Sequence, residues 1–199
     1  QTEYLKHWPF DVTIATFEDI KDLTASIGKA MLVADSNTRK SEIANIVGQP
    51  LEFLARARTD LDGIVAFTNQ VESRALIPAL NFHFANHLPV FATSQSARGG
   101  NLESLAGIEI TEMPLYAAPN DALRNLTTVF SLENNAFGEL YALGYDIYSL
   151  ATWLPLLEHN SQITFAAASG NLRLHNDGKF RRELALSRIL RNGKLTPSQ

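Results

Sequence analysis

The chain of 199 residues contains no cysteine, which excludes a disulfide framework, a thiolate nucleophile and a cysteine-bound zinc site. It also lacks an apolar run of the roughly 18 residues that a membrane-spanning helix needs, because Glu139, Asp146 and Pro155 interrupt the longest candidate. Basic residues are few, since 17 Lys and Arg stand against 21 Asp and Glu, giving a net charge of −4. Without a broad cationic surface, the chain is not expected to bind nucleic acid.

Catalytic motifs are missing or incomplete. Ser26-Ile-Gly-Lys29 matches the S-x-x-K motif of penicillin-binding enzymes, but the S-D-N and K-T-G motifs that accompany it are absent. His83 and His87 have the i, i+4 spacing of zinc ligands, but the Glu of H-E-x-x-H is absent and Pro89 indicates that the helix ends there. No nucleophile elbow, phosphate loop or G-x-G-x-x-G is found. The sequence predicts no enzyme, no metal site and no cofactor, and a hydrolase using Ser26 or His83 is the weakest alternative.

What the chain does contain is an alternation of strand-like and helix-like runs, which is typical of a parallel sheet flanked by helices. The segment TRKSEIANIVGQ (38–49) predicts a short helix from Thr38 that stops at Gly48, because glycine readily takes the left-handed conformation that closes a helix. The predicted strands are VTIAT (12–16), GIVAF (63–67), PVFAT (89–93) and GIEITEMP (107–114), and a helix follows each of the first two. These runs favour an α/β fold.

The character of the chain changes after Pro119. Two helices are predicted, over about 121–132 and 136–157, and Asn120 or Asp121 is a suitable cap for the first. The tail then has short alternating runs around the turn pairs Ser169-Gly170, Asp177-Gly178 and Asn192-Gly193, which predict hairpins.

The second helix, ELYALGYDIYSLATWLPLL (139–157), is almost wholly apolar and has one acid, Asp146, near its middle. We expect other elements to cover this helix on most sides. Asp146 must then reach a basic side chain or backbone N–H groups, because an unpaired buried carboxylate costs several kcal/mol. A structural role, pinning the helix where two lobes meet, is favoured over contact with a ligand.

Polar side chains follow two of the predicted strands. In open parallel sheets, ligands collect beyond the carboxyl ends of the strands, where helix N-termini present free N–H groups. Simple helix capping is the other interpretation of such residues, and it is left open. The candidates are Thr68 and Gln70 after GIVAF, Ser94, Gln95 and Ser96 after PVFAT, and Arg98 and Tyr116 as further members of a polar cleft wall.

An ordered series of stretches resembles the C-terminal, periplasmic-binding-protein type I-like domain of the LppC/LpoA family of outer-membrane lipoproteins. The resemblance covers nearly the whole chain, and the order of the stretches makes it more specific than any single motif. The matching stretches are ADSNTRKSEIANIVGQPLEF, RARTDLDGIVAFTNQVESRALIPALNFHFANHLPVFATSQS, GIEITEMPLYAAPN, ELYALGYDIYSLATWL and GNLRLHNDGKFRRELALSRILRNGKLTP.

The resemblance implies a bilobed α/β domain. Residues 1–119 would form its second lobe, incomplete at its start, with TEYLKHW (2–8) as the end of a truncated helix. Residues 120–199 would supply helices and a closing hairpin that belong to the partner lobe.

The resemblance also implies a function. The chain would belong to a non-enzymatic regulator of peptidoglycan synthesis that activates a bifunctional penicillin-binding protein by protein contact, with peptidoglycan as a further candidate partner. It would be periplasmic and held at the outer membrane only by an N-terminal lipid anchor outside this chain. The alternative is a periplasmic binding protein for an amino acid, a peptide or a cell-wall fragment.

Overall fold

The computed structural model describes residues 11–50, 52, 58–132, 135, 137–160 and 162–198. The predicted helix end at residues 2–8 lies outside this range. Short 3₁₀ turns occupy Ser94–Ala97 and Glu103–Leu105. The helices are α1 (Ile20–Ala30), α2 (Val33–Val47), α3 (Gln70–Phe82), the single turn α4 (Pro114–Ala117), α5 (Asp121–Phe130) and α6 (Gly138–His159). The strands are β1 (Ile64–Ala66), β2 (Val90–Thr93), β3 (Glu109–Glu112), β4 (Thr164–Ala166), β5 (Asn171–Leu174), β6 (Phe180–Glu183), β7 (Ala185–Ile189) and β8 (Leu195–Pro197).

The strands form two sheets. The larger has the order β1-β2-β3-β7-β8, in which β2 and β3 run parallel while β3, β7 and β8 pair antiparallel. The smaller sheet has the order β4-β5-β6 and both of its pairs are antiparallel. A sheet that contains the parallel pair β2–β3, with helix α3 between β1 and β2 in the chain, confirms the predicted α/β class, and the hairpin β7–β8 widens the larger sheet beside β3.

Several local predictions are confirmed. Helix α2 ends at Gly48, whose φ of 68° is left-handed, although the helix begins at Val33, earlier than predicted. Asn120 caps α5, because its Oδ1 accepts a hydrogen bond from the Leu123 N–H at 2.9 Å. The three predicted turn pairs each connect two antiparallel strands.

The predicted strand VTIAT is wrong. Residues 11–17 have no regular structure, and Val12 and Ile14 are 40% and 49% exposed. A strand needs a neighbour that accepts and donates its backbone hydrogen bonds, and none among the described residues pairs with this run. The segment is instead held locally by Arg58, whose Nη1 donates to Thr13 Oγ1 at 3.1 Å.

The chain divides into two compact units, Gln1–Ile64 with Val71–Pro89, and Val65–Gln70 with Val90–Gln199. In the first unit, α1 buries Leu23 and Ile27, and Gly28 leaves room for the ring of His83. The Nε2 atom of His83 lies 2.8 Å from the Thr24 carbonyl oxygen. The ring of His83, directly after α3, therefore forms its hydrogen bond inside the first unit.

The second unit has a core at β3 and another between its helices. Around β3, Leu105, Ile108, Ile110 and Ile189 are at most 1% exposed. Burying aliphatic side chains in this way contributes about 1.5–3 kcal/mol each. The other core joins α4, α5 and α6 to the β4–β5 turn and contains Met113, Leu115, Leu123, Leu132, Ala142 and Ala168.

Helix α6 is not covered as predicted. Leu140 and Ile147 are 61% and 60% exposed, and Tyr148 is 81% exposed. The apolar pattern identifies the faces that can be buried, but it does not show that this chain supplies a partner for each of them. No helix among the described residues is long and apolar enough to cross a membrane.

Candidate functional site

Thr68 and Ser96 form a buried hydroxyl pair where the chain leaves β1 and β2. Ser96 is fully buried and Thr68 is 6% exposed. Ser96 Oγ donates to the Thr68 carbonyl oxygen at 2.8 Å, and the two hydroxyl oxygens lie 3.2 Å apart. Because β1 and β2 are neighbours in the sheet, their ends bring these residues together from distant points of the sequence.

The other predicted residues of these two loops are Gln70, Ser94 and Gln95. In the orientation that satisfies both of its neighbours, the Gln70 side-chain amide donates to the Arg98 carbonyl oxygen at 3.2 Å and accepts from the Gly100 N–H at 3.0 Å. Ser94 is half-buried and Gln95 is exposed, both in the 3₁₀ turn that follows β2. The Gln70 amide therefore ties the start of α3 to the loop after β2.

Arg98 links this loop to the long helix. Its guanidinium forms an ion pair with Glu139 in the first turn of α6. Its Nε is buried and has no hydrogen-bond partner among the described residues, while about a third of the side chain stays exposed. The charge of Arg98 also reaches Glu112 and Tyr116, so one cation faces groups from three separate elements.

Glu112, the last residue of β3, is a buried acid that the sequence interpretation did not select. It is 5% exposed, and its Oε1 accepts a hydrogen bond from the Met113 N–H at 2.8 Å. Burial raises the pKa of the Glu112 carboxyl, while the Met113 hydrogen bond and the charge of Arg98 oppose that rise. The feature of the sequence that could have identified Glu112 was a charged residue at the end of a strand with an alternating pattern.

Tyr116, in α4, lies beside these charges. Burial raises the pKa of the Tyr116 phenol, Arg98 lowers it and Glu112 raises it. The hydroxyl lies over Gly138 at the start of α6, where a Cβ atom would overlap it. Tyr116 therefore contacts the same end of α6 that Arg98 holds through Glu139.

Asp146 lies apart from this cluster. It is 1% exposed, and its carboxylate oxygens accept hydrogen bonds from the N–H groups of Ala168 and Ser169, at 2.6 and 2.9 Å. Two backbone donors thus satisfy the acid in the middle of the apolar helix. Of the residues predicted from the sequence, the structure places Thr68, Gln70, Ser94, Gln95, Ser96 and Arg98 at the strand ends and Tyr116 near Arg98, and it keeps Asp146 separate.

The rejected motifs show no catalytic arrangement in the described residues. The Ser26 hydroxyl donates to the Thr16 carbonyl oxygen at 2.9 Å, and His83 is bonded to the Thr24 carbonyl. No group of three or more His, Asp or Glu side chains that could hold a metal ion occurs in the part of the chain that the structure describes. The cluster around Arg98 can hold loops and helices together or contact a polar group.

A sheet with a parallel pair of strands, flanking helices and polar loops at the strand ends makes this an α/β protein. The structure titled "LpoA (YraM) C-domain from Haemophilus influenzae, a regulator of PBP1A" superposes with a TM-score of 0.58 at 13% identity, covering 82% of this chain and 57% of that chain. A "putative branched-chain amino acid ABC transporter" from Chromobacterium violaceum gives 0.50 at 24% identity, covering 84% and 56%. At these identities the likeness shows the fold alone.

Sequence comparison then gives the family. The model of the "LppC putative lipoprotein" family matches residues 5–189, so the chain belongs to that family. "Penicillin-binding protein activator LpoA" from Vibrio cholerae serotype O1 is 25% identical over 188 residues, covering 92% of this chain and 31% of that protein. The protein of the same name from Photobacterium profundum is 26% identical over 191 residues, covering 93% and 31%. The chain therefore spans about a third of the length of the curated relatives that it matches.

Proposed function

We propose that this chain is part of a non-enzymatic regulator that activates a bifunctional penicillin-binding protein by protein contact. The observation that carries the proposal is the family match over residues 5–189, together with relatives named as penicillin-binding protein activators. The solved C-domain with the same fold is titled a regulator of PBP1A, which supports the same role. We also propose a periplasmic location, with a lipid anchor at the outer membrane and peptidoglycan as a neighbouring ligand, and the match to a lipoprotein family supports the lipid anchor.

The direct test is binding to the purified synthase. The chain and the full-length lipoprotein are immobilised separately, and binding of the synthase to each is measured by surface plasmon resonance. We expect the full-length protein to bind and to raise the rate of glycan-strand synthesis or cross-linking. Absence of binding by the full-length protein would contradict the activator role, whereas failure of this chain alone would assign the contact to another part of the lipoprotein.

We also propose that α5 and α6 belong to a bilobed domain, in which the first lobe covers the exposed face of α6. This keeps residues 1–119 in the second lobe and assigns residues 120–199 to helices and a hairpin that return to the first lobe, except that the β7–β8 hairpin stays with the second lobe, because β7 pairs with β3. The face has many exposed apolar side chains and few charges, and this chain matches only 57% of the solved C-domain. An apolar lobe surface fits such a face better than a charged partner does.

Hydrogen exchange tests the lobe arrangement. The backbone amides and the side-chain exposure of α6 are compared between this chain and a longer chain that includes the upstream half of the domain. We expect slower exchange in α6 and weaker binding of the dye ANS in the longer chain, because the apolar face is then covered. Equal exchange and equal dye binding in the two chains would show that the face stays open.

We further propose that the residues at the strand ends hold the loops after β1 and β2 in place. Thr68 with Ser96, Gln70 with the loop after β2, and Arg98 with Glu139 all use their polar groups within the protein, which supports this role. A thermal-shift screen with amino acids, short peptides and cell-wall fragments is the test. A ligand that raises the melting temperature in the wild type but not in Ser96→Ala would instead favour the binding-protein alternative.

A further inference from the structure

We propose a second, separate site that binds an oxyanion, a phosphate or carboxylate group, on the three-stranded sheet β4-β5-β6. The site is a row of three side chains that crosses the sheet. Thr164 of β4 lies opposite Arg173 of β5, and Arg173 lies opposite Arg181 of β6. Residues directly opposite each other in antiparallel strands point to the same face, so one hydroxyl and two guanidinium groups share a face.

The other face of this sheet is already occupied. Leu172 and Leu174 alternate with Arg173 along β5 and are buried. Trp153 of α6 contacts Phe165 of β4, with ring centroids 5.6 Å apart, and so covers that side. The row of Thr164, Arg173 and Arg181 therefore lies on the side of the sheet that is turned away from α6.

The positive charges of the row favour the binding of an anion. Like charges directly opposite each other destabilise an antiparallel pair, and Arg173 opposite Arg181 is such a pair. Neither arginine forms an ion pair with an acid among the described residues. The segment 171–183 contains four basic residues and two acidic ones within a chain of net charge −4, so positive charge is concentrated here.

One N–H donor of Arg173 has no hydrogen-bond partner among the described residues. Its Nη2 donates to Thr164 Oγ1 at 3.2 Å, which orients the guanidinium along the row. Its Nε is buried without a hydrogen-bond partner. A buried donor without a partner costs free energy, and an oxyanion beside the guanidinium would accept from it.

A cavity of about 370 Å³ lies at these residues and can hold a small ligand group. Arginine forks bind the paired oxygens of carboxylate and phosphate groups, and the amides at the rim add donors. One acid, Asp177, also borders the cavity, but its Oδ1 accepts the Lys179 N–H at 3.1 Å within the β5–β6 turn. The polar residues that line the cavity are Gln162, Arg173, His175, Asn176, Asp177 and Arg181.

The test compares anions at constant ionic strength and pH. The melting temperature of the chain is measured in sodium phosphate, sodium succinate and sodium chloride, and phosphate or succinate binding is then titrated by calorimetry. Arg181→Gln removes one fork from the exposed edge strand β6 and leaves the buried leucines in place. Arg182→Gln is the matched control, because it makes the same charge change on the same strand but lies opposite Leu172, on the other face.

We expect phosphate or succinate, but not chloride, to raise the melting temperature of the wild type and of Arg182→Gln. In Arg181→Gln the apparent Kd for the active anion should rise by at least about tenfold, because a hydrogen bond to a charged group is lost. The phosphate and succinate arms show which oxyanion the site accepts. Equal shifts in all three salts, or equal losses in Arg181→Gln and Arg182→Gln, would overturn the proposal.

Discussion

Asp146 and Ser169 are joined by a hydrogen bond of 2.9 Å from the Ser169 N–H to the Asp146 carboxylate, and both residues are buried. The same carboxylate accepts the Ala168 N–H at 2.6 Å. The acid thus satisfies two backbone donors of the β4–β5 turn, which could not bond to an apolar helix. An acid in the apolar middle of α6 is explained by the two backbone N–H groups of the turn that packs against it.

Replacing Asp146 by Ala should therefore destabilise the chain. The free energy of unfolding should fall by about 3 kcal/mol, because two buried N–H groups lose a charged acceptor. Urea denaturation followed by circular dichroism measures this change. Glu158→Ala, an exposed change on the same helix, is the control and should alter the free energy by less than about 0.5 kcal/mol. An Asp146→Ala variant as stable as this control would contradict the role given to the two bonds.

The features predicted well from the sequence are those that neighbouring residues determine. A glycine that closes a helix, as Gly48 does, and an asparagine that caps one, as Asn120 does, act within a few residues. The turns of the three hairpins have the same local character. The two strands of the parallel pair β2–β3 were predicted as strands, the first from the run PVFAT and the second from the alternating run GIEITEMP.

The predictions that were wrong or incomplete concern contacts with residues that lie far away in the sequence. The run VTIAT has the composition of a strand, but a strand also needs a neighbouring strand. The pattern of α6 shows apolar faces, while its exposure depends on what the chain provides to cover them. Arg98 was selected, but Glu112 and Glu139 were not, because one sequence does not show which distant acids a given arginine meets.

The buried acid Glu112 predicts a pH dependence of stability. A raised pKa means that the folded chain holds this proton more tightly than the unfolded chain, whose pKa is near the ordinary 4.5. As the pH rises from that value through the folded pKa, this group lowers the free energy of unfolding, and above the folded pKa its whole penalty is present.

In Glu112→Gln this pH-dependent loss should be absent. The difference in free energy of unfolding between Glu112→Gln and the wild type should therefore increase in favour of the variant as the pH rises, and then become constant. Urea denaturation at a series of values from about pH 4 to pH 7 measures it. Glu158→Gln, at an exposed position, is the control for the loss of a carboxyl group. A constant difference for Glu112→Gln would show that its pKa is the same in both states.

Arg98 opposes the rise in the pKa of Glu112, so removing its charge should raise that pKa further. The expected result in Arg98→Gln is a carboxyl titration of Glu112 at higher pH than in the wild type, followed by the carbon-13 signal in NMR. The phenol of Tyr116 should also titrate higher, because Arg98 lowers its pKa as well. Arg124→Gln is the control, since Arg124 pairs with Asp121 at the surface. An unchanged or lower pKa at Glu112 would rule out Arg98 as its charged neighbour.

The contact between Tyr116 and Gly138 should make that glycine hard to replace. A Cβ atom at Gly138 would overlap the Tyr116 hydroxyl and lie 3.2 Å from Cζ of the ring, so Gly138→Ala should lower the free energy of unfolding by about 1–3 kcal/mol. Gly144→Ala is the matched control on the same helix, because, apart from its chain neighbours and the adjacent backbone of α6, no described atom lies within 4 Å of its added carbon. There the change should stabilise α6 by about 0.5–1 kcal/mol, since alanine favours a helix over glycine.

The double variant Tyr116→Phe with Gly138→Ala separates this overlap from other effects of the new methyl group. Removing the hydroxyl relieves the overlap, so the double variant should recover part of the stability that Gly138→Ala loses, and the two changes should not be additive. Urea denaturation of the wild type, both single variants and the double variant gives the coupling free energy. Additive losses would mean that the Tyr116 hydroxyl is not what excludes a side chain at Gly138.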